Sequence, residues 1–266
     1  MKKRIDALMG MLRNFIAYLP LLNNLVSREL KRKYRQSALG YLWCVLNPLG
    51  VMLIMYLVFS TMFQNRIANF PVYLFAGRMM YSLVTDGSAS MLRSFAANGA
   101  LMRKARIPYY IFPMSVFLSS VVNFFFQLIA FAIVLLATGT PLTVHVLAFP
   151  VVFFQTAIFT FGLGLFLAQI NVIIRDTEYI YTIFLTAWVY LTPLFYPISA
   201  LPNFLQYLIS HFNPAYFYAE QARDVFLYHQ WPEAALMLRG LVAAFLALAV
   251  GLYCYQRGKD KIILYI

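Results

Sequence analysis

The sequence predicts an all-α polytopic membrane protein, and three observations carry that prediction. From Arg106 to Arg175 the chain runs through 68 residues (107–174) without an Asp, Glu, Lys or Arg. A soluble domain cannot hydrate a surface built that way. The composition agrees, with 62% of the 266 residues apolar, 18% aromatic and only 11% charged. The third observation is that the few charges are segregated by sign and by position along the chain.

Residues 1–36 read as a cytoplasmic tail followed by an interface helix. Met1-Lys2-Lys3-Arg4 imitates the start of a signal peptide, but Asp6 and Arg13 interrupt any apolar core, so no cleavage is expected. From about 10 to 36 the pattern is that of an amphipathic helix on the inner membrane surface. Leu21, Leu22, Leu25 and Val26 share one face, while Arg28, Lys31, Arg32, Lys33 and Arg35 crowd the far end. Such a helix is either a basic anchor to anionic lipid, at about 1 kcal/mol per cation, or an anchor that also docks a cytoplasmic partner.

Residues 37–266 read as a six-span transmembrane domain. A bilayer core about 30 Å thick takes roughly 20 apolar residues per helix. Span 1, about 39–63, fills the uncharged run between Arg35 and Arg66. Span 2, about 70–91, is interrupted by Arg78 and Asp86. The 68-residue run holds spans 3 and 4, about 110–137 and 146–170, divided at a polar turn that contains Gly139 and Pro141. Span 5, about 179–198, lies in the uncharged run between Glu178 and Glu220, and span 6, about 233–256, closes the domain.

The net charge of +12 would point to nucleic acid in a soluble protein, but its distribution follows membrane topology. Nine cations precede span 1, four lie between spans 2 and 3, one between spans 4 and 5, and three after span 6: 9 + 4 + 1 + 3 gives 17 of 21 on one side. Only Arg66 and Arg223 fall in the opposite loops. Positive charge is retained in the cytoplasm, so both termini are expected inside. The even span count leads independently to the same arrangement.

Two segments are neither span nor simple loop. Residues 93–108 place Arg103, Lys104 and Arg106 beside Leu101, Met102 and Ile107, as in a short helix parallel to the membrane, although any inner loop is basic for topological reasons alone. Residues 199–231 lie outside by topology yet are strongly apolar and carry Pro202 and Pro214. A re-entrant helical hairpin broken near Asn213-Pro214 fits them, since non-helical backbone at membrane depth must be shielded by protein or face a water-filled cavity.

The chain lacks the residues of the common chemistries. There is no glycine-rich phosphate loop, no nucleophile elbow and no paired-carboxylate or His/Cys cluster, so no catalytic residue, no metal site and no cofactor is expected in this chain. Cys44 and Cys254 lie inside expected spans and read as inert thiols rather than a disulfide. Arg78 and Asp86 are costly in lipid and must face protein or water. Eight residues apart, they lie near one face of span 2, where Asp86 is met by a neighbouring helix or Arg78 faces an aqueous path and anionic substrate groups. Two isolated ionisable residues are too few for a proton relay. Aromatic stripes occur in span 1 (Tyr56, Phe59, Phe63) and span 5 (Tyr181, Phe184, Trp188) at helical spacing. They serve either helix packing or stacking on sugar rings; spacing leaves both readings open.

With these motifs placed, the chain resembles the membrane subunit of ABC-type polysaccharide and polyol-phosphate exporters, which move O-antigen, capsule or teichoic-acid chains. The resemblance rests on the run from Arg28 through Leu39-Gly40-Tyr41-Leu42-Trp43 to Leu46-Asn47-Pro48, and on Asn98 to Pro108, which is similar to that family's coupling helix. Asn171 to Asp176, Leu191-Thr192-Pro193-Leu194-Phe195-Tyr196-Pro197, and Asn213-Pro214 followed by Glu220 and Arg223 complete it. It implies a homodimer in the bacterial inner membrane, paired with two cytoplasmic ATPase subunits that use ATP and magnesium. Arg103, Lys104 and Arg106 would receive the ATPase stroke, and spans 1 and 5 would line a channel for an undecaprenyl-linked polysaccharide. Arg28, Lys31, Arg32, Lys33 and Arg35 would meet lipid headgroups. The same architecture exporting a small drug or lipid is the alternative.

Overall fold

The computed structural model describes residues 17–32, 39–63, 67, 69–104, 107–259 and 262, with the side chains of 61–63 outside that description. Every regular element among these residues is helical. Helix α1 covers 17–32. A 3-10 turn, Gly40–Leu42, leads into α2, Trp43–Phe63, and the positive φ of Gly40 (50°) suits a glycine at that corner. Then come α3, Phe70–Leu92, and α4, Ser94–Lys104. Helices α5, Ile111–Ala137, and α6, Phe149–Ile173, flank the polar turn that the sequence marks. Helix α7 is Thr177–Leu191, α8 Asn203–Phe212, α9 Pro214–Phe226 and α10 Ala234–Gly258.

Among the described residues, four helical segments are long and apolar enough to cross a bilayer: Gly40–Ser60, Ile111–Ala137, Val144–Ile173 and Ala234–Gly258. Helix α3 has the length, 23 residues, but its two charges and its serines lower its hydropathy. The expected helix over 179–198 is corrected. Helix α7 ends at Leu191 after 15 residues, about 22 Å of rise. Pro193 explains the stop, because the residue before a proline is pushed out of the helical region. Thr192 accordingly sits at φ −105°, ψ 119°, and the chain stays non-helical to Pro197.

Helix α3 is the axis of the molecule. It packs on α5, α6 and α9, and Val72, Ala76, Met80 and Val84 are fully enclosed. Helix–helix association in lipid gains little from the hydrophobic effect and depends on close packing and internal hydrogen bonds. The α6–α10 crossing illustrates this: a methyl on Gly162 would fall inside the backbone of Ala247 and Leu248, and one on Gly251 inside the carbonyl of Gly162. The two backbones touch because both residues are glycine. We expect Gly162→Val to destabilise the protein by about 1–3 kcal/mol through overpacking. Thermal unfolding of the purified chain in detergent checks this, and an unshifted transition would contradict the backbone contact.

Candidate functional site

A cavity of about 410 Å³ lies among α1 to α5, within the size range of small-ligand sites. Three long helices each turn one polar stripe toward it. On α3 the stripe is Arg78, Ser82, Asp86, Ser90 and Arg93; on α5 it is Ser119, Ser120, Asn123 and Gln127; on α2 it is Asn47, beside Cys44 and Pro48. Spacings of three and four residues put each set on a single helical face. Glu29 and Arg32 of α1, and Ser94 and Asn98 of α4, line one end. Trp43, Phe75 and Phe124 supply apolar wall.

Ionic contacts gather at that end. Arg28 donates to Asn98 Oδ1, which ties α1 to α4, and to Glu29 at 3.1 Å. Arg93 donates to Glu178 Oε1 at 3.1 Å, joining the α3 end to α7. Deeper in, Ser82 donates to Gln127 Oε1 at 2.6 Å. Asp86 is exposed to the cavity and Arg78 half-buried in it. Arg78 makes no hydrogen bond or ion pair among the described residues, while Asp86 lies within its electrostatic reach.

The sequence-derived site residues distribute as follows. Lys31 and Arg32 are exposed on α1, and Arg103 and Lys104 are exposed at the end of α4. Lys33, Arg35 and Arg106 lie outside the described residues, as does the side chain of Phe63. Tyr56 packs against Phe70, and Phe59 stacks on Phe195 at 4.8 Å. On α7, Tyr181, Phe184 and Trp188 form a ladder of rings 5.9 and 5.1 Å apart. Tyr181 shares a 2.6 Å hydrogen bond with Ser88, and Trp188 meets Tyr81 edge-on, so both are buried against α3. Phe184 is the exposed member, at 48%. Among the described residues, no group of three His, Cys, Asp or Glu side chains is placed to hold a metal.

Sequence reading missed two groups. The Ser119–Asn123–Gln127 stripe at four-residue intervals is visible in the sequence, but an apolar count over 27 residues hides it. The second is Arg223, counted as a cation of an outer loop, which is fully enclosed. Its Nη2 donates to the carbonyls of Pro193 (2.8 Å) and Leu194 (3.1 Å), its Nε to Tyr73 O (3.2 Å) and its Nη1 to Glu220 Oε2 (2.9 Å). The guanidinium lies 3.5 Å from the centre of the Tyr73 ring. Gly77 makes room for it, since a β-carbon there would come within 2.7 Å of Nη2.

Asn213 works beside Arg223. Its Oδ1 caps α9 by accepting from Ala215 N (3.1 Å) and also accepts from Trp188 Nε1 (2.9 Å). Its Nδ2 donates to Thr192 Oγ1 (3.0 Å). The broken end of α7, α9 and α3 are thereby joined. Replacing Arg223 with Met should cost about 3–5 kcal/mol, because three carbonyls and Glu220 lose their partner. Replacing Glu220, which is partly exposed, with Gln should cost no more than about 1 kcal/mol. Thermal unfolding in detergent measures both, and equal losses would contradict the carbonyl clamp.

Residues 20–227 match the family described as ABC-2 type transporter. The chain is 35% identical over 228 residues to the O-antigen export system permease protein RfbA of Myxococcus xanthus, covering 84% of this chain and 86% of that protein. Two RfbA permeases of Klebsiella pneumoniae are 28% and 26% identical over 204 and 191 residues, covering 76% and 71% of this chain and 78% and 73% of their own length. The matched span runs from within α1 through α9, so most of α1, the polar cleft and the Arg223 clamp fall inside it. This chain belongs to the ABC-2 type transporter family of membrane proteins.

Proposed function

We propose that this chain is the membrane subunit of an ATP-driven exporter that passes a lipid-linked polysaccharide from the cytoplasm outward across the bacterial inner membrane. The observation that carries the reading is the extent of the likeness to an O-antigen export permease, 86% of that protein's length. The sequence holds no phosphate loop, which is consistent with ATP hydrolysis in a separate cytoplasmic subunit.

In this reading α3 and α7 join the four apolar helices as spans, giving six, with both termini inside. Helix α3 crosses despite Arg78 and Asp86 because its charged face opens on the polar cleft instead of on lipid. Helix α7 is short, and the non-helical segment after Leu191 completes its crossing, shielded by the Arg223 clamp. Helices α8 and α9 form the re-entrant hairpin. Two copies pair through α2 and α7, whose outward faces are apolar: Leu53, Ile54 and Leu57 on one, Ile180 and Ile183 on the other. Two ATPase subunits press on α4 and α1 from below, where Arg103, Lys104, Lys31 and Arg32 project.

Depleting the protein in its host, then locating the lipid-linked glycan by fractionation and surface labelling, tests the reading. Glycan trapped inside with its synthesis intact is expected. Normal surface glycan would remove the polysaccharide reading and favour a small-molecule or lipid exporter. A second test concerns α1: Lys31→Ala with Arg32→Ala should reduce surface glycan several-fold while membrane insertion is unchanged. Unaltered export would limit those cations to topology.

A further inference from the structure

We propose that the cleft between α2, α3 and α5 binds the phosphate-bearing headgroup of an inner-leaflet lipid, with Arg78 as its anion contact. The inference rests on the exporter reading and specifies where within one subunit a charged headgroup is held. Arg78 is the residue that demands it. A guanidinium at membrane depth is stable only with a partner or water; Asp86, two turns along the same face, acts on this one through space, but among the described residues no acceptor fills its N–H donors by a hydrogen bond or ion pair. The other cations of the cleft are engaged, Arg93 with Glu178 and Arg32 near Glu29 (3.9 Å).

The chemistry of the walls selects the ligand. A guanidinium fork matches two phosphate oxygens, a geometry that an ammonium lacks. One turn from it Gln127, which accepts from Ser82, offers its amide N–H groups, while Ser119 and Ser120 line the cleft nearer the mouth, where Asp86 also faces it. Ser94 lines the cleft with a buried hydroxyl that has no partner. The cleft also runs the right way. From Arg93 to Arg78 is 15 residues, about 22 Å of rise, so it leads from the cation-lined mouth beside α1 and α4 past the middle of a core about 30 Å thick. A volume of about 410 Å³ admits a headgroup but excludes a polymer. The headgroup therefore reaches Arg78 while its tails remain in lipid, and the site suits a headgroup that carries no polymer.

The same phosphate chemistry belongs to a polyprenyl diphosphate carrier and to an ordinary glycerophospholipid, and the test separates them. The complete complex of this chain with its ATPase subunit is reconstituted in nanodiscs containing undecaprenyl diphosphate or phosphatidylglycerol, and retained lipid is counted by native mass spectrometry. Wild type should retain at least one of the two, Arg78→Gln should reduce that retention tenfold or more, and Arg78→Lys, which keeps the charge but not the fork, should fall between them. Retention of the diphosphate alone assigns the cleft to the carrier; retention of both assigns it to phosphate headgroups in general. Equal retention by wild type and Arg78→Gln, or none by wild type, overturns the proposal. Should Arg78→Gln fail to assemble, Ser90→Phe fills the cleft with Arg78 in place, and unchanged retention there overturns it equally. Loss of the exporter reading registers separately, as normal surface glycan after depletion, and leaves the lipid count unaffected.

Discussion

The structure depends on how the backbone freed by the break in α7 is satisfied. Pro193 ends that helix, and the carbonyls beyond it have no helical partner to replace the lost hydrogen bonds. Arg223 supplies the donors. One guanidinium reaches Pro193, Leu194 and Tyr73 and pairs with Glu220 from within its own helix. An arginine can do this where a lysine cannot, because its five donors are fixed in a plane that also lies against the Tyr73 ring. The cost of burying the charge is offset by four hydrogen bonds and the ring, and Gly77 leaves the space.

A mechanical consequence follows. The end of α7, the α8–α9 hairpin and the outer half of α3 are one cross-linked unit, with Asn213 and Trp188 as a second tie. The inner half of α3 is different. There the helix borders a polar cavity, and it holds α7 through the buried Ser88–Tyr181 hydrogen bond and the exposed Arg93–Glu178 pair. The molecule thus has one end cross-linked by buried hydrogen bonds and another end where polar side chains line a cavity. In the exporter reading the cytoplasmic subunits push on that inner end, and the outer clamp transmits the displacement as a body.

Much of this was legible in the sequence. Helix periodicity and the uncharged runs located α2, α3, α5, α6 and α10 to within a few residues, because long apolar segments bounded by charge leave little freedom. The break near Asn213-Pro214 was readable from proline chemistry, and the same logic applied at Pro193 would have shortened α7. Arg223 was not legible: nothing local distinguishes a cation destined for a buried clamp from one in a loop, since its partners are 29 to 150 residues away. The cleft was half visible. Arg78 and Asp86 stood out by charge, but the Ser119–Asn123–Gln127 stripe that faces them is polar without being charged, and burial between three helices is a property of the fold. The aromatic stripes were visible as stripes, and only packing revealed that Tyr181 and Trp188 turn toward α3.

Transport itself is the decisive measurement. Sealed inside-out membrane vesicles containing this chain and its ATPase subunit are loaded on the outer face with lipid-linked glycan, and the fraction protected from an added glycosidase is followed after ATP. Protection that rises with ATP hydrolysis and vanishes in vesicles lacking this chain is the expected result. Glycan that stays fully accessible, with the complex assembled and hydrolysing ATP, would contradict polysaccharide export.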